Sequence, residues 1–148
     1  VAPDRIAIRG GSAGGYSVME CLANSKLFSA GASYYGISDL EILAQETHKF
    51  EAHYLDSLIG PLPETKNRYI ERSPINKIEN ISAPLLLLQG LEDKVVPPSQ
   101  AELICNKLQR QGTEVTYLTF SDEGHGFRQS KNQIRALNAE LEFYLKYL

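Results

Sequence analysis

Hydrophobic positions change period along the chain, and each change marks a boundary between a strand and a helix. Ile6-Ala7-Ile8 is a short apolar run bounded by Asp4 and by Gly10-Gly11, the pattern of a buried strand, and Ala13 to about Asn24 reads as a helix. Ala30 to Tyr35 is a second strand, closed by Gly36. From Ser38 to Tyr69 the pattern loosens: a helix over about Asp39 to Glu46 gives way to irregular or short helical pieces, broken by Pro61 and Pro63. Ser73-Pro74 sets a capping hydroxyl before a proline and predicts a helix to about Asn80. Leu85 to Leu88 is a continuous apolar run of the kind found in parallel strands covered on both faces. Pro97-Pro98 opens a helix whose Ala101, Ile104, Cys105 and Leu108 fall at i, i+3, i+4 and i+7, with Gly112 as its stop. Val115 to Phe120 is a fourth strand, and from about Gln129 the residues Ile134, Leu137, Leu141, Tyr144 and Leu148 mark one face of a closing helix.

Strands alternating with helices predict an α/β fold, a parallel sheet with helices on both faces, whose ligands sit beyond the carboxyl ends of the strands. At 148 residues with 43% hydrophobic content the chain fits one domain over residues 1–148. Fifteen Lys and Arg against 18 Asp and Glu, with no basic stripe, argue against a nucleic-acid partner. The longest strongly apolar run, Ala83 to Leu88, is too short for a membrane span, and no signal peptide opens the chain. Cys21 and Cys105, both inside helical patterns, read as reduced packed thiols, which points to a cytoplasmic setting. Val1 in place of Met, with a strand almost at once, predicts a piece of something longer.

The polar residues after each strand carry the chemistry. Gly10-Gly11-Ser12-Ala13-Gly14 follows the first strand and matches the G-x-S-x-G turn that holds a nucleophilic serine above a sheet. There the backbone N–H of Ala13, at the start of a helix, is aimed at a developing oxyanion. Serine needs a base, and His125, flanked by glycines directly after the fourth strand, is the leading candidate over His48 and His53. Asp93, after the Leu-rich strand, is the first choice for the acid that orients the imidazole, with Glu92 and Asp122 as weaker candidates. The chain order Ser12, Asp93, His125 is that of the α/β-hydrolase triad. No cysteine and histidine spacing suits zinc, and this chemistry needs no metal or organic cofactor.

Gly10-Gly11-Ser12-Ala13-Gly14-Gly15-Tyr16, then Gly90-Leu91-Glu92-Asp93 with Val96-Pro97, then Glu123-Gly124-His125-Gly126-Phe127 resemble the three active-site signatures of the prolyl oligopeptidase family. Ser73-Pro74 is similar to a recurring feature there, and the resemblance covers nearly the whole chain. It implies the C-terminal half of an α/β-hydrolase domain, a serine peptidase acting on short peptides, and Ser12, Asp93 and His125 as its triad. It also implies that the strands before the serine turn, and the loop donating a second oxyanion hydrogen bond, lie upstream of Val1. Loss of one such donor typically costs ~2.7 to 4 kcal/mol of transition-state stabilisation. Tyr34, Tyr35, Tyr54 and Leu58 are candidates for the pocket that takes the residue before the scissile bond, or for ordinary packing. An esterase or lipase on the same fold, and an inactive folded core, are the competing readings. If the sheet begins at the first strand, its unpaired edge predicts a homo-oligomer, most simply a symmetric dimer.

Overall fold

The computed structural model describes residues 2, 4–46 and 54–148. Four strands, β1 (Ala7–Gly11), β2 (Ala30–Tyr34), β3 (Leu85–Gly90) and β4 (Val115–Phe120), form one sheet in the order β1-β2-β3-β4, all parallel. The register pairs Gly11 with Tyr34, Tyr34 with Leu88 and Gly90 with Phe120, so the carboxyl ends of the four strands line up. Every loop that leaves them starts from the same edge of the sheet.

The crossover helices α1 (Ala13–Asn24) and α5 (Ser99–Arg110) lie on one face, as same-handed crossovers toward successive neighbours require. Leu85 and Leu87 pack there against Val18, Met19, Leu22, Ile104 and Leu108. The alternate residues Leu86 and Leu88 point to the other face, where α6 (Ser130–Tyr147) brings Ala136 and Phe143. Burial on both faces accounts for the unbroken leucine run. A smaller cluster of Leu40, Leu43, Leu55, Ile59 and Tyr69 unites α2 (Leu40–Glu46), α3 (Tyr54–Leu58) and α4 (Lys66–Glu71) between β2 and β3.

Two expectations need correction. Residues 73–80 form two short 3-10 turns, Pro74–Asn76 and Ile78–Asn80, rather than one helix. The Ser73 hydroxyl is engaged elsewhere: it donates to the Tyr69 carbonyl at 2.7 Å and accepts the Leu40 N–H at the start of α2 at 2.9 Å, so it does not cap the turn that begins at Pro74. The apolar face read for α6 is turned largely outward, with Ile134, Leu137 and Leu141 exposed; Asn132, Ala136, Glu140 and Phe143 form the buried face. Among the described residues no helix is long and apolar enough to cross a membrane.

Candidate active site

β1 runs through Gly10 and Gly11 and turns directly into α1, leaving Ser12 between them at φ 57° and ψ −120°. That left-handed backbone is costly for a residue with a Cβ, and such strain persists only where the surroundings impose it. Here they do: the Ser12 N–H donates to the Tyr34 carbonyl at 2.9 Å and its carbonyl accepts the Tyr16 N–H at 3.0 Å. A Cβ on Gly10 would collide with the Gly14 backbone, so the sharp turn requires glycine there. Ala13 is the first residue of α1, and its amide is among those at a helix start that lack an intrahelical carbonyl.

The other two chemistry-bearing turns meet Ser12 across the carboxyl end of the sheet. His125 Nε2 lies 2.9 Å from Ser12 Oγ, and His125 Nδ1 lies 2.8 Å from Asp93 Oδ2. The Asp93 carboxylate serves as acceptor throughout, which leaves Nδ1 as the donor and Nε2 as the lone pair facing the serine hydroxyl. Asp93 is 4% exposed and is fixed from several sides. Its Oδ1 accepts the N–H groups of Val95 and Val96 at 2.9 and 2.8 Å, and Gln89 Nε2 approaches Oδ2 at 3.4 Å. One carboxylate oxygen thus folds the turn while the other meets the imidazole. The two turns also interlock, since a Cβ on Gly90 would run into the carbonyl oxygens of Glu123 and Gly124.

Of the weaker acid candidates, Glu92 is exposed, and Asp122 bonds Asn132 Nδ2 at 2.9 Å and Lys131 Nζ at 2.6 Å. Among the described residues neither bonds the His125 ring, whose hydrogen-bond partners are Asp93 and Ser12. His48 and His53 lie outside the described residues.

A hollow of about 440 Å³ opens beside Ser12 and His125, walled by Ile37, Leu43, Tyr54, Leu55, Val95 and Val96. Of the four residues proposed for the pocket, only Tyr54 lines it. Tyr34 and Tyr35 line a second hollow, of about 330 Å³, with Arg9, Phe127 and Leu137. Leu58 lines neither and is 57% exposed, because α3 turns Leu55 inward instead. Sequence reading missed Ile37 and Val95-Val96, although each follows a strand-end turn by only a few residues. Tyr35, at φ 40°, sets its ring 4.9 Å from the His125 ring and 5.5 Å from that of Phe127. Burial, reinforced by the charge of Asp93, raises its hydroxyl pKa above the ordinary value.

Behind this wall Glu140 of α6 accepts Arg9 Nε at 2.7 Å, Tyr34 Oη at 2.6 Å and Tyr144 Oη at 2.8 Å. Burial opposes its charge, but these donors outweigh it and hold the carboxyl below its ordinary value. Tyr34 is pushed up to about 12, by burial first and by Glu140 second.

A family model described as the prolyl oligopeptidase family matches residues 1–148. A puromycin-hydrolyzing peptidase of Mycobacterium tuberculosis is 47% identical and superposes with a TM-score of 0.97, over 100% of this chain and 22% of its own. The acylaminoacyl peptidase of Pyrococcus horikoshii is 32% identical, with a TM-score of 0.92 over 100% of this chain and 25% of its own. Dipeptidyl aminopeptidase BIII of Pseudoxanthomonas mexicana is 34% identical over 148 residues, which span 96% of this chain and 21% of the relative. The chain thus spans about a fifth to a quarter of the length of these relatives. Its parallel sheet has the α/β-hydrolase fold of these peptidases, and the chain belongs to the prolyl oligopeptidase family.

Proposed function

We propose that this chain carries the catalytic residues of a serine peptidase that hydrolyses short peptides through an acyl-enzyme. The observation that supports this is the unbroken relay from Asp93 through His125 to Ser12, with contacts of 2.8 and 2.9 Å. In this reading the Ser12 hydroxyl attacks the scissile carbonyl carbon as His125 Nε2 takes its proton, and the carbonyl oxygen becomes an oxyanion facing the Ala13 N–H. Collapse breaks the C–N bond, and His125 returns the proton to the leaving amine. Water then repeats the sequence on the acyl-enzyme, releasing the acid and restoring Ser12. Asp93 holds the imidazole tautomer and stabilises its charged form. The hollow walled by Ile37, Tyr54, Leu55 and Val96 takes the side chain before the scissile bond. The peptidase names of the relatives above favour peptide over ester substrates, although a probable carboxylic ester hydrolase, LipM of Mycobacterium tuberculosis, is also 29% identical over 141 residues. The free thiols of Cys21 and Cys105 support a reducing, cytoplasmic setting. The outer edge of β1 and the exposed leucines of α6 support association with a second copy.

A fluorophosphonate probe, mapped by mass spectrometry, should label Ser12 alone, and Ser12→Ala and His125→Ala should each abolish labelling. A chain that melts cooperatively yet takes no label at Ser12 would sink this reading for the chain.

A further inference from the structure

The reaction above leaves unused a buried carboxylate in the loop that carries His125. Residues 121–129 leave β4, pass through His125 and enter α6, with Gly124 and Gly126 on either side of the histidine. A loop this rich in glycine has much conformational freedom to lose, yet its imidazole must be held against two partners at once. Glu123, 3% exposed, lies within it and closes it on itself. Its Oε2 accepts the Arg128 N–H, and its Oε1 accepts the Gln129 N–H and Asn132 Nδ2, each at 2.9 Å. One carboxylate therefore joins the entry of the loop to its exit, with His125 between. The Glu123 carbonyl also accepts the Glu92 N–H at 2.9 Å, tying the loop to the turn that carries Asp93. Burial opposes the charge, but the three N–H donors outweigh it and hold the carboxyl below its ordinary value.

We propose that Glu123 is a positioning residue whose buried carboxylate clasps loop 121–129 and thereby sets His125 against Asp93 and Ser12. The proposal rests on the reading of His125 as the base, but the geometry it asserts can fail separately. Glu123→Gln keeps the volume and turns an amide N–H₂ toward a backbone donor. Glu123→Asp keeps the charge but is one methylene short, and Asn132→Ala removes one donor while sparing the backbone pair.

The test uses the full chain with ¹⁵N-labelled histidine. It follows the His125 Nδ1–H resonance by NMR and the rate of fluorophosphonate labelling at Ser12, with Leu108→Ala as a destabilised control far from the loop. Wild type should show a protected Nδ1–H signal. In Glu123→Gln that signal should be lost to exchange with water and labelling should slow about ten- to a hundredfold. Glu123→Asp should lie between, while Asn132→Ala and Leu108→Ala should retain the signal. No protected signal in wild type, an unchanged signal in a folded Glu123→Gln, or an equal loss in Leu108→Ala would each overturn the clasp. If Glu123→Gln does not fold, a wild-type signal in Glu123→Asp overturns it instead. A signal lost in Glu123→Gln while wild-type Ser12 takes no label would leave the clasp standing and remove the peptidase reading.

Discussion

On the face of the sheet covered by α1 and α5, Val18, Met19, Leu22, Ile104 and Leu108 close over Leu85 and Leu87 with 0 to 2% exposure. On the face covered by α6, the helix turns Ala136, Glu140 and Phe143 inward and leaves Ile134, Leu137, Leu141 and Leu145 between 57 and 77% exposed. Both helices are amphipathic, but only α5 buries its apolar stripe. The sheet beneath each explains the difference. The side chains that meet α1 and α5 are mostly aliphatic, with Tyr117 of β4 among them, whereas the face under α6 presents the Tyr34 hydroxyl, which needs a buried acceptor, beside the half-exposed Arg9. Glu140 supplies it and so fixes which side of α6 faces in.

The largest effect expected from this contrast is on the closed face. Leu108→Ala empties a fully buried site with neighbours on every side and should cost about 2 to 5 kcal/mol, read from urea unfolding at constant m-value. A cost below about 1 kcal/mol would mean that the two faces are packed alike after all.

Glu140→Gln tests the polar closure of the other face. It replaces a charged acceptor of several donors, and its cost at pH 7 should be about 1.5 to 3 kcal/mol, toward the low end because the Arg9 side chain is 58% exposed and screened. The folded-state pKa of Glu140 lies below its unfolded value, so the native state favours the charged form. The stabilisation is therefore complete above the unfolded value of about 4.5 and is lost as pH falls through the folded value. Melting temperatures of wild type and Glu140→Gln should differ most near neutrality and converge below pH 4.5. A constant difference down to pH 3 would remove the charge from the account.

The same contrast shows which features were legible in sequence. Ala101, Ile104, Cys105 and Leu108 read correctly as a buried stripe because they pack against a largely aliphatic cluster, while the buried Gln100, which accepts the N–H groups of Ser38 and Asp39, lies outside that period. In α6 the more regular apolar period belongs to the exposed side, and the buried set includes Asn132 and Glu140, which no hydrophobic pattern selects. Residues 73–80 misled for a related reason: the Ser73 hydroxyl has a tertiary role, linking the end of α4 to the start of α2, that hides behind a local capping motif. At the candidate site, Ser12, Asp93 and His125 could each be picked out because each lies in the turn or loop that follows a strand, and a parallel sheet in register brings such segments together. The pocket walls could not, because Ile37 and Leu43 reach the hollow only through the packing of the segments around α2 and α3, and Val95 only through the turn that folds onto Asp93 Oδ1.

The smallest expected effect lies on the open side of α6. Leu141 is 57% exposed, so Leu141→Lys removes little buried area and should change the stability of the monomer by no more than about 0.5 kcal/mol. Its consequence should appear in assembly instead. Ile134, Leu137, Leu141 and Leu145 make an apolar row along the helix that is exposed among the described residues, and burying such a row against a second copy removes its area from water. Sedimentation velocity should show wild type associating as its concentration rises and Leu141→Lys shifted toward monomer at the same loading. If wild type sediments as monomer throughout, the row is not a contact between copies. If both associate equally, the contact lies elsewhere on the chain.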